Sequence, residues 1–476
     1  MPKRVVTIET RLQNNTDLTD YLNNSVAVYE RTKRQIWQIM TNRQYKKRFP
    51  KESEFTKWCR QHFNLHSRTI NSIIHKVKGL MNSYMELKQV ELNTINEKIN
   101  TVQEQITKDK KFINKWKPLV TDNNITEKEL TKYTKRKETL YQRQCKLNKL
   151  MQRKLNLEYI TEHEVFKVCF GSKKCFKRQY NLKENNYKTH IKWYNEFIKQ
   201  RDKNIYFVGA ANETQGNQMI SLNYVPQTNT FTLTLRRIEK TNNKRGSEDN
   251  YIVYENLKIP YKKEILLKIL NNFNLKNPNV CPLTYRFHRK GNKWYLQITF
   301  TQYFNATTYK TRCNNGVIGL DYNVGFIQLA ETDRSGNLIN LIRYNLKYHG
   351  CGNKARTEIE QTMGSILKYA LNKGKDIAIE NLDFKKTKSK QNKGNTKCTK
   401  NYNRMTHTFD YSRYKQTLIN SAFNKNVLVY LINPKNTSKI GKQKYSYRMK
   451  LTTHQAAAYV IARRYQGFND RLIKTT

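Results

Sequence analysis

The chain has 476 residues, and its 89 lysines and arginines outnumber 37 acidic residues, which gives a formal net charge of +52. Such an excess repels itself unless a polyanion neutralises it, so nucleic acid is the expected partner. No apolar run approaches the roughly 18 residues of a membrane span, and the eight cysteines contain no Cys-x-x-Cys pair, which argues against a membrane protein, a disulfide framework and a zinc ribbon.

One strand and a long helical segment are predicted in the first third of the chain. Residues 4–12 alternate like a strand, whereas residues 16–160 are mostly helical in pattern. Apolar residues recur every three or four positions from Leu92 to Ile106, and Thr126 to Glu129 fits a capping box before a second helix. We therefore predict an antiparallel helical hairpin over residues 84–157.

From about residue 164 to 312 the sequence becomes rich in strand signals. Phe231, Leu233 and Leu235 alternate with threonines, and the turn at Lys290-Gly291-Asn292 separates two runs typical of a β-hairpin. We expect the N-terminal strand to share a sheet with these later strands, with the helical segment inserted between them.

A third pattern begins at Gly316. Strands are predicted at residues 316–320, 326–332, 338–344, 377–379 and 427–432, and helices near 354–372, 404–424 and 453–465. The stretch 385–400 holds seven lysines and no acid, which predicts a polycationic loop. The order strand, hairpin, helix, strand, helix, strand, helix is typical of an RNase H-type α/β domain.

Two of these strands end on a carboxylate. Asp321 follows the first run and Glu380 follows the run Ile377–Ile379. Hard oxygen ligands on rigid strands are what a metal-dependent phosphodiester-cleaving site requires. Strands of many α/β proteins also end on a solvated acid, but two such acids in a strongly basic chain favour a nuclease. A third ligand is then expected from the helix predicted at 453–465.

Four short motifs follow one another in the last 160 residues. They are Gly-Leu-Asp321-Tyr-Asn, Ile-Ala-Ile-Glu380-Asn-Leu, Asn433–Ser438, and the run from His454 through the alanine pair to Ile461. In this order they resemble the RuvC motifs of the TnpB transposon-encoded RNA-guided nucleases and the related compact type V CRISPR effectors. The last run lies on the family's Asp-x-Asn-Ala-Ala-x-Asn-Ile motif, with His454 at the position of the aspartate.

The resemblance implies RNA-guided cleavage of double-stranded DNA at a single RuvC-like site. A guide RNA would pair with one target strand, while the protein reads a short flanking motif and the shape of the heteroduplex. Asp321, Glu380 and His454 would be the catalytic residues and the metal ligands, with Mg²⁺ or Mn²⁺ as the cofactor. The N-terminus carries no signal peptide, so we expect a bacterial cytoplasmic protein, associated with the nucleoid when bound to DNA and not with a membrane.

The chain departs from the family pattern in two ways. Histidine at 454 is a neutral ligand, which leaves the site one negative charge short and suits Mn²⁺ better than Mg²⁺. Alternatively, His454 only starts the helix and the site is inactive, and Asp470 is a less suitable substitute ligand. Only fifteen residues without a cysteine separate Ser438 from His454, so we expect no structural zinc.

Basic and tyrosine-rich segments near the motifs are expected to contact nucleic acid. The segment Lys442–Lys450 combines cations with aromatic rings that can stack on bases, although an ordinary basic loop has the same composition. The expected contacts are Lys385, Lys386, Lys388, Lys390, Lys442, Lys444, Tyr445, Arg448, Arg463 and Arg464.

We therefore predict an α/β C-terminal RNase H-like (RuvC) domain over residues 316–476 and an α+β N-terminal lobe. In the lobe, residues 1–15 supply the first strand of a β-barrel-like wedge domain, 16–163 form a helical recognition insert, and 164–315 complete the wedge domain. Three functions stay open: an RNA-guided endonuclease, a nuclease-inactive RNA-guided DNA-binding repressor, and a transposition accessory protein that binds nucleic acid without a guide.

Overall fold

A computed structural model describes residues 3–14, 16–42, 44–122, 124–240, 247–274, 281–303, 309–323, 325–347, 352–382 and 411–472. The chain divides into two compact units, Met1–Tyr303 and Phe304–Thr476. Within the described ranges, no helix is long and apolar enough to cross a membrane. The predicted lysine loop at 385–400 lies outside the described residues.

The first unit contains helices and antiparallel strands. Its described α-helices are α1 (Asp17–Met40), α2 (Tyr45–Arg48), α3 (Glu52–His62), α4 (Ser67–Thr121), α5 (Glu127–Glu162), α6 (Lys173–Lys177), α7 (His190–Arg201) and α8 (Lys263–Asn274). Its described strands are β1 (Lys3–Arg11), β2 (Asn204–Phe207), β3 (Ile220–Val225), β4 (Thr230–Arg236), β5 (Tyr251–Leu257), β6 (Thr284–Lys290) and β7 (Lys293–Tyr303).

These strands form two sheets, in the orders β1-β7-β6-β2 and β3-β4-β5. β1 pairs antiparallel with β7 along its whole length, so the N-terminal strand shares a sheet with strands that follow it by almost 300 residues, as predicted. Apolar residues of both sheets, of α1 and α3, and of the first turns of α4 form one core. Among the described strands, hydrogen bonds do not join the two sheets into a closed barrel.

Two long helices, α4 and α5, form the hairpin expected from the heptad-like spacing. Both extend beyond the predicted range 84–157. Ile95 and Leu157 are buried where the helices meet, because the apolar stripes of the two helices pack against each other. At the start of α5, the Glu129 carboxylate accepts a hydrogen bond from the Thr126 backbone N–H at 3.1 Å, as the capping box predicts.

The second unit is an α/β domain. Its described strands are β8 (Val317–Asn323), β9 (Phe326–Thr332), β10 (Leu338–Asn345), β11 (Asp376–Glu380) and β12 (Val429–Ile432). Its described α-helices are α9 (Asn353–Lys373), α10 (Tyr411–Lys425), α11 (Thr437–Gly441) and α12 (Thr453–Tyr465). A π-helical turn, Lys442–Ser446, follows α11 directly.

One mixed sheet organises this second unit, in the order β10-β9-β8-β11-β12. The neighbours β8, β9 and β10 are antiparallel, whereas β11 runs parallel to both β8 and β12. A three-stranded antiparallel meander extended by two parallel strands, with helices following the third, fourth and fifth strands, supports the RNase H-like domain predicted from the element order.

Helices cover both faces of this sheet. Ile318 and Leu320 of β8 point to the face that packs against α9 and α10. Side chains alternate along a strand, so Val317 points to the opposite face, where Ala378 and Ile461 of α12 join it in a second cluster. Odd-numbered residues of β8 therefore face α12, and Asp321 is one of them.

The position of Asp321 within its strand differs from the prediction. Instead of following a strand that ends at residue 320, Asp321 lies inside β8, which continues to Asn323. The strand continues because Tyr322 is buried in the core and Asn323 pairs with Phe326 of β9. Glu380, in contrast, is the last residue of β11, as predicted.

A buried ion pair connects β9 with the residue preceding β11. Lys375 Nζ donates to Glu331 Oε1 at 2.6 Å and to the Thr332 carbonyl at 2.8 Å, and the Tyr369 hydroxyl donates to Glu331 Oε2. Burial alone would raise the pKa of Glu331, but the hydrogen bonds from Lys375 and Tyr369 outweigh it and lower the pKa below its usual value. The carboxylate therefore stabilises the fold above the usual carboxyl pKa and loses this contribution as the pH falls.

We expect Glu331→Gln to destabilise the second unit by about 3 kcal/mol at pH 7, because it leaves the Lys375 ammonium buried without a counter-ion. The difference from the wild type should be smaller at about pH 3, below the usual carboxyl pKa, because the contribution of Glu331 is lost as the pH falls through its lowered folded-state pKa. Thermal unfolding at both pH values measures this, with the exposed Glu360→Gln as the control. An equal destabilisation at both pH values would contradict the assignment.

Candidate active site

Asp321 and Glu380 lie side by side on neighbouring parallel strands. The register pairs Leu320 of β8 with Ile379 of β11, so the next residue of each strand, Asp321 and Glu380, lies at the same level and faces the same side. Adjacent strands are separated by about 4.8 Å. Two carboxylates from distant parts of the sequence are therefore held close together on rigid supports.

Asp321 is partly buried. Two side chains donate hydrogen bonds to its carboxylate, and both bonds go to the same oxygen. Asn323 Nδ2 donates to Oδ2 at 2.8 Å, and His454 Nδ1 donates to the same oxygen at 3.0 Å. An ionised carboxylate only accepts, so Nδ1 of the imidazole carries the proton in this pair. Oδ1 of Asp321 receives neither of these bonds.

Glu380 is more deeply buried, at 8% exposure. Burial raises the pKa of its carboxyl, a hydrogen bond from Thr437 lowers it, and the nearby Asp321 charge raises it further. The Thr437 hydroxyl donates to Oε1, and the Tyr411 hydroxyl donates to the Glu380 backbone carbonyl. These bonds fix both the main chain and the side chain at the end of β11.

His454 reaches Asp321 because α12 begins directly beside the strand. Thr452 and Gln455 form a reciprocal capping box, in which each side chain accepts from the other's backbone N–H, at 3.3 and 2.9 Å. Gly319 of β8 has no side chain at the point where the Ala458 backbone of α12 crosses it. This close approach of helix and strand brings the first turn of α12 to the carboxylate.

The imidazole of His454 is about half exposed and has aromatic and cationic neighbours. The hydrogen bond to Asp321 raises its pKa, whereas burial and the positive charge of Arg343 lower it, and the net direction is upward. The Phe326 ring meets the imidazole edge to face, with 5.2 Å between the ring centroids. His454 therefore lies between an acid and an aromatic ring that carries a cation on its face.

The donor set suits a divalent cation. Two carboxylates and an imidazole are ordinary ligands of Mg²⁺ or Mn²⁺. Each of the three side chains also has one ligand atom that takes no part in the hydrogen bonds given above. These atoms are Asp321 Oδ1, Glu380 Oε2 and His454 Nε2. A histidine that donates its other N–H to a carboxylate is also the arrangement that orients metal-binding imidazoles. In the described ranges, no three histidine, cysteine or acidic side chains are already grouped closely enough to hold a metal ion.

The arginines at the end of α12 are engaged within the protein. Arg463 donates to Asp470 Oδ2 at 3.0 Å and to the Gly336 carbonyl at 2.9 Å. Arg464 donates to the Asn433 carbonyl at 2.5 Å, in the loop before α11. Asp470, which lies beyond the helix, therefore pairs with Arg463 of α12 and with Tyr445 in this structure.

The basic segment before α12 divides into buried and exposed residues. Tyr445 is buried, and its hydroxyl donates to Asp470 at 2.8 Å, while the Lys444 ammonium lies 3.5 Å from the same carboxylate. Lys442 and Arg448 are exposed. The four remaining expected contacts lie outside the described residues; they are Lys385, Lys386, Lys388 and Lys390.

Several residues at the site carry no role in the sequence-based prediction. Thr437, which donates to Glu380, lies in the Asn433–Ser438 motif, and the motif alone does not indicate this contact. Asn323 follows Asp321 by two residues, and that spacing on a strand is the signal that both share a face. Tyr447 is 95% exposed, unlike Tyr445, and nothing in the composition of the segment distinguishes the two.

Two solved structures to which the chain is similar are remote in sequence. No protein-family model and no curated protein matches the chain. T. thermophilus RuvC in complex with a Holliday junction substrate is 15% identical, with 31% of this chain and 89% of that chain covered and a TM-score of 0.22. The Cas12f1–sgRNA–target DNA complex is 10% identical, with 79% and 95% covered and a TM-score of 0.22. Similarity this low does not establish a common fold, so the RNase H-like assignment rests on strand order and pairing.

Proposed function

We propose that the chain is an RNA-guided DNA endonuclease with one metal-dependent active site in its second unit. The observation that carries this proposal is the pair Asp321 and Glu380, level with each other on adjacent parallel strands, with His454 hydrogen-bonded to the first. The net charge of +52 supports a nucleic-acid substrate. The four motifs that resemble those of TnpB-like nucleases support the role of a guide RNA.

In this proposal Asp321, Glu380 and His454 hold divalent cations. The bound ion would supply Lewis-acid stabilisation of the phosphate and an activated water. Asn323 and Thr437 orient the two carboxylates through hydrogen bonds to one oxygen of each. The proton on Nδ1 of His454 leaves Nε2 as the ligand nitrogen of the neutral ring.

A nuclease-inactive, RNA-guided DNA-binding protein is the second candidate. One observation favours it: a histidine replaces the third acid, and its ring occupies an Asp321 oxygen through Nδ1. The site then has one negative charge fewer than three carboxylates would give, which weakens binding of Mg²⁺ in particular.

The test is plasmid cleavage by protein copurified with its native RNA, in Mg²⁺ and separately in Mn²⁺. We expect cutting that is faster in Mn²⁺ and that disappears in Asp321→Ala. The copurified RNA is sequenced from the same preparation, because one defined, structured species supports a guide and a random mixture contradicts it. Binding directed by the RNA, without cutting in either metal, would establish the second candidate.

His454→Asp separates the two candidates at the same site. If the wild type is an active nuclease that uses His454 as a metal ligand, the variant should still cut DNA. Its cofactor preference should then shift from Mn²⁺ toward Mg²⁺. If the wild type is inactive because of the histidine, only the variant should cut.

A further inference from the structure

Arg343 lies in the same cross-strand row as the catalytic carboxylates. β9 pairs Gln328 with Asp321 on one side and with Arg343 of β10 on the other, so these side chains face the same side of the sheet. Glu380 of β11 follows Asp321 of β8 in the same row. The row therefore has two acids on central strands and one cation, Arg343, on the edge strand β10. Two strand spacings put the Arg343 Cα about 10 Å from that of Asp321.

An aromatic platform fixes the Arg343 guanidinium near the site. Its central carbon lies 3.8 Å from the centroid of the Phe326 ring, the same ring whose edge contacts His454. Its Nε donates to Asn345 Oδ1 at 2.9 Å. Stacking and one hydrogen bond together hold a planar guanidinium in one orientation at small entropic cost.

Arg343 differs from the other arginines of the second unit that lie close to the site. Arg463 and Arg464 donate to an acid or to backbone carbonyls, which ties part of each guanidinium group to the protein. Arg343 is exposed, and within the described ranges its guanidinium contacts the Phe326 ring and Asn345 Oδ1 and no acidic side chain. Its two terminal nitrogens are therefore available to an external anion.

We propose that Arg343, stacked on Phe326, binds a backbone phosphate of the DNA strand that lies across Asp321 and Glu380. The guanidinium fork matches two oxygens of a phosphate, and the cation lies on the side of the row away from Glu380. Arg343 is thus a substrate-positioning residue that sets which phosphodiester reaches the carboxylates. The inference rests on the proposed nuclease function.

The experiment measures cleavage by the RNA-bound protein of a target whose strands carry single methylphosphonate linkages, placed one at a time around the cut site. A methylphosphonate removes the charge of one phosphate. In the wild type, one position beside the scissile linkage should slow cleavage. In Arg343→Ala, cleavage of unmodified DNA should fall about ten- to a hundred-fold, and the penalty at that one position should vanish.

Two further variants make the result specific. Arg343→Lys keeps the charge without the fork and should recover part of the rate, whereas Arg334→Ala, at the turn of the same β-hairpin, should cut like the wild type. If Arg343→Ala cuts unmodified DNA at the wild-type rate, Arg343 does not have the proposed role. The same holds if each methylphosphonate slows the variant as much as it slows the wild type. Either result would leave the nuclease function standing. A wild type that fails to cut unmodified DNA would overturn the nuclease function, and this inference with it.

Discussion

Glu380→Gln should abolish cleavage and at the same time make the second unit more stable. The carboxylate is buried, and burial raises its pKa, so its charge is held in the fold at a cost in free energy. Glutamine has nearly the same shape and can still accept from the Thr437 hydroxyl, but it carries no charge for a divalent ion. We expect cleavage to fall by at least about a thousand-fold, which corresponds to about 4 kcal/mol of transition-state stabilisation.

The gain in unfolding free energy from Glu380→Gln should be larger at high pH than at low pH. Because the folded-state pKa of Glu380 lies above its unfolded value, the charge destabilises the fold fully above the folded pKa and ceases to do so as the pH falls. Glu380→Gln should therefore stabilise the unit by on the order of 1 kcal/mol at pH 8 and show little difference near pH 4. Unfolding and cleavage are measured on the same preparations, with Glu360→Gln as an exposed control that changes neither. A variant that loses both activity and stability would show that Glu380 is a structural residue.

The alignment of the two acids was predictable from sequence, but their surroundings were not. Apolar runs ending near Asp321 and Glu380 indicate two buried strands, and parallel strands of one sheet bring such residues to the same edge. The sequence does not show that β8 continues past Asp321, because that depends on pairing with β9 and on burial of Tyr322. The position of His454 was inferred from resemblance to a family motif, since nothing in a helix start indicates which strand it approaches.

The roles of the basic residues are the hardest to predict from sequence, for a physical reason. In a chain with 89 lysines and arginines, composition does not distinguish a cation that meets solvent from one that holds the protein together. Arg463 contacts Asp470 and a turn carbonyl, and Tyr445 is buried against the same acid, because the tail after α12 folds back beside the π-helical turn. The role proposed for Arg343 could not be predicted from sequence, because it depends on the strand register that pairs Arg343 through Gln328 with Asp321.

The small residues of α12 allow the helix to pack closely on the sheet, which the sequence motif alone does not show. The helix carries Ala456, Ala457, Ala458 and Ala462, all fully buried or nearly so. Alanine side chains let the helix backbone approach β8 closely, and Gly319 completes the approach from the strand side. The distance between helix and sheet therefore determines whether His454 reaches Asp321.

Gly319→Val should separate α12 from the sheet and disrupt the site. A Cβ at position 319 would overlap the Ala458 carbonyl oxygen and lie 2.7 Å from the Ala462 backbone nitrogen, and backbone atoms of a packed helix cannot rotate away. We expect a loss of about 3 kcal/mol or more in the unfolding free energy of the second unit. Cleavage should also be lost, since the first turn of α12 would move away from Asp321.

Gly364→Ala is the matched control for this change, because a Cβ there meets no atom within 4 Å and the residue lies inside α9. Replacing an interior helix glycine by alanine should raise stability by about 0.5–1 kcal/mol and leave cleavage unchanged. Unfolding of the two variants should therefore shift in opposite directions from the wild type. If Gly319→Val folds with wild-type stability and cuts DNA, helix α12 does not depend on this contact, and the third ligand is positioned by something other than the packing of α12 on β8.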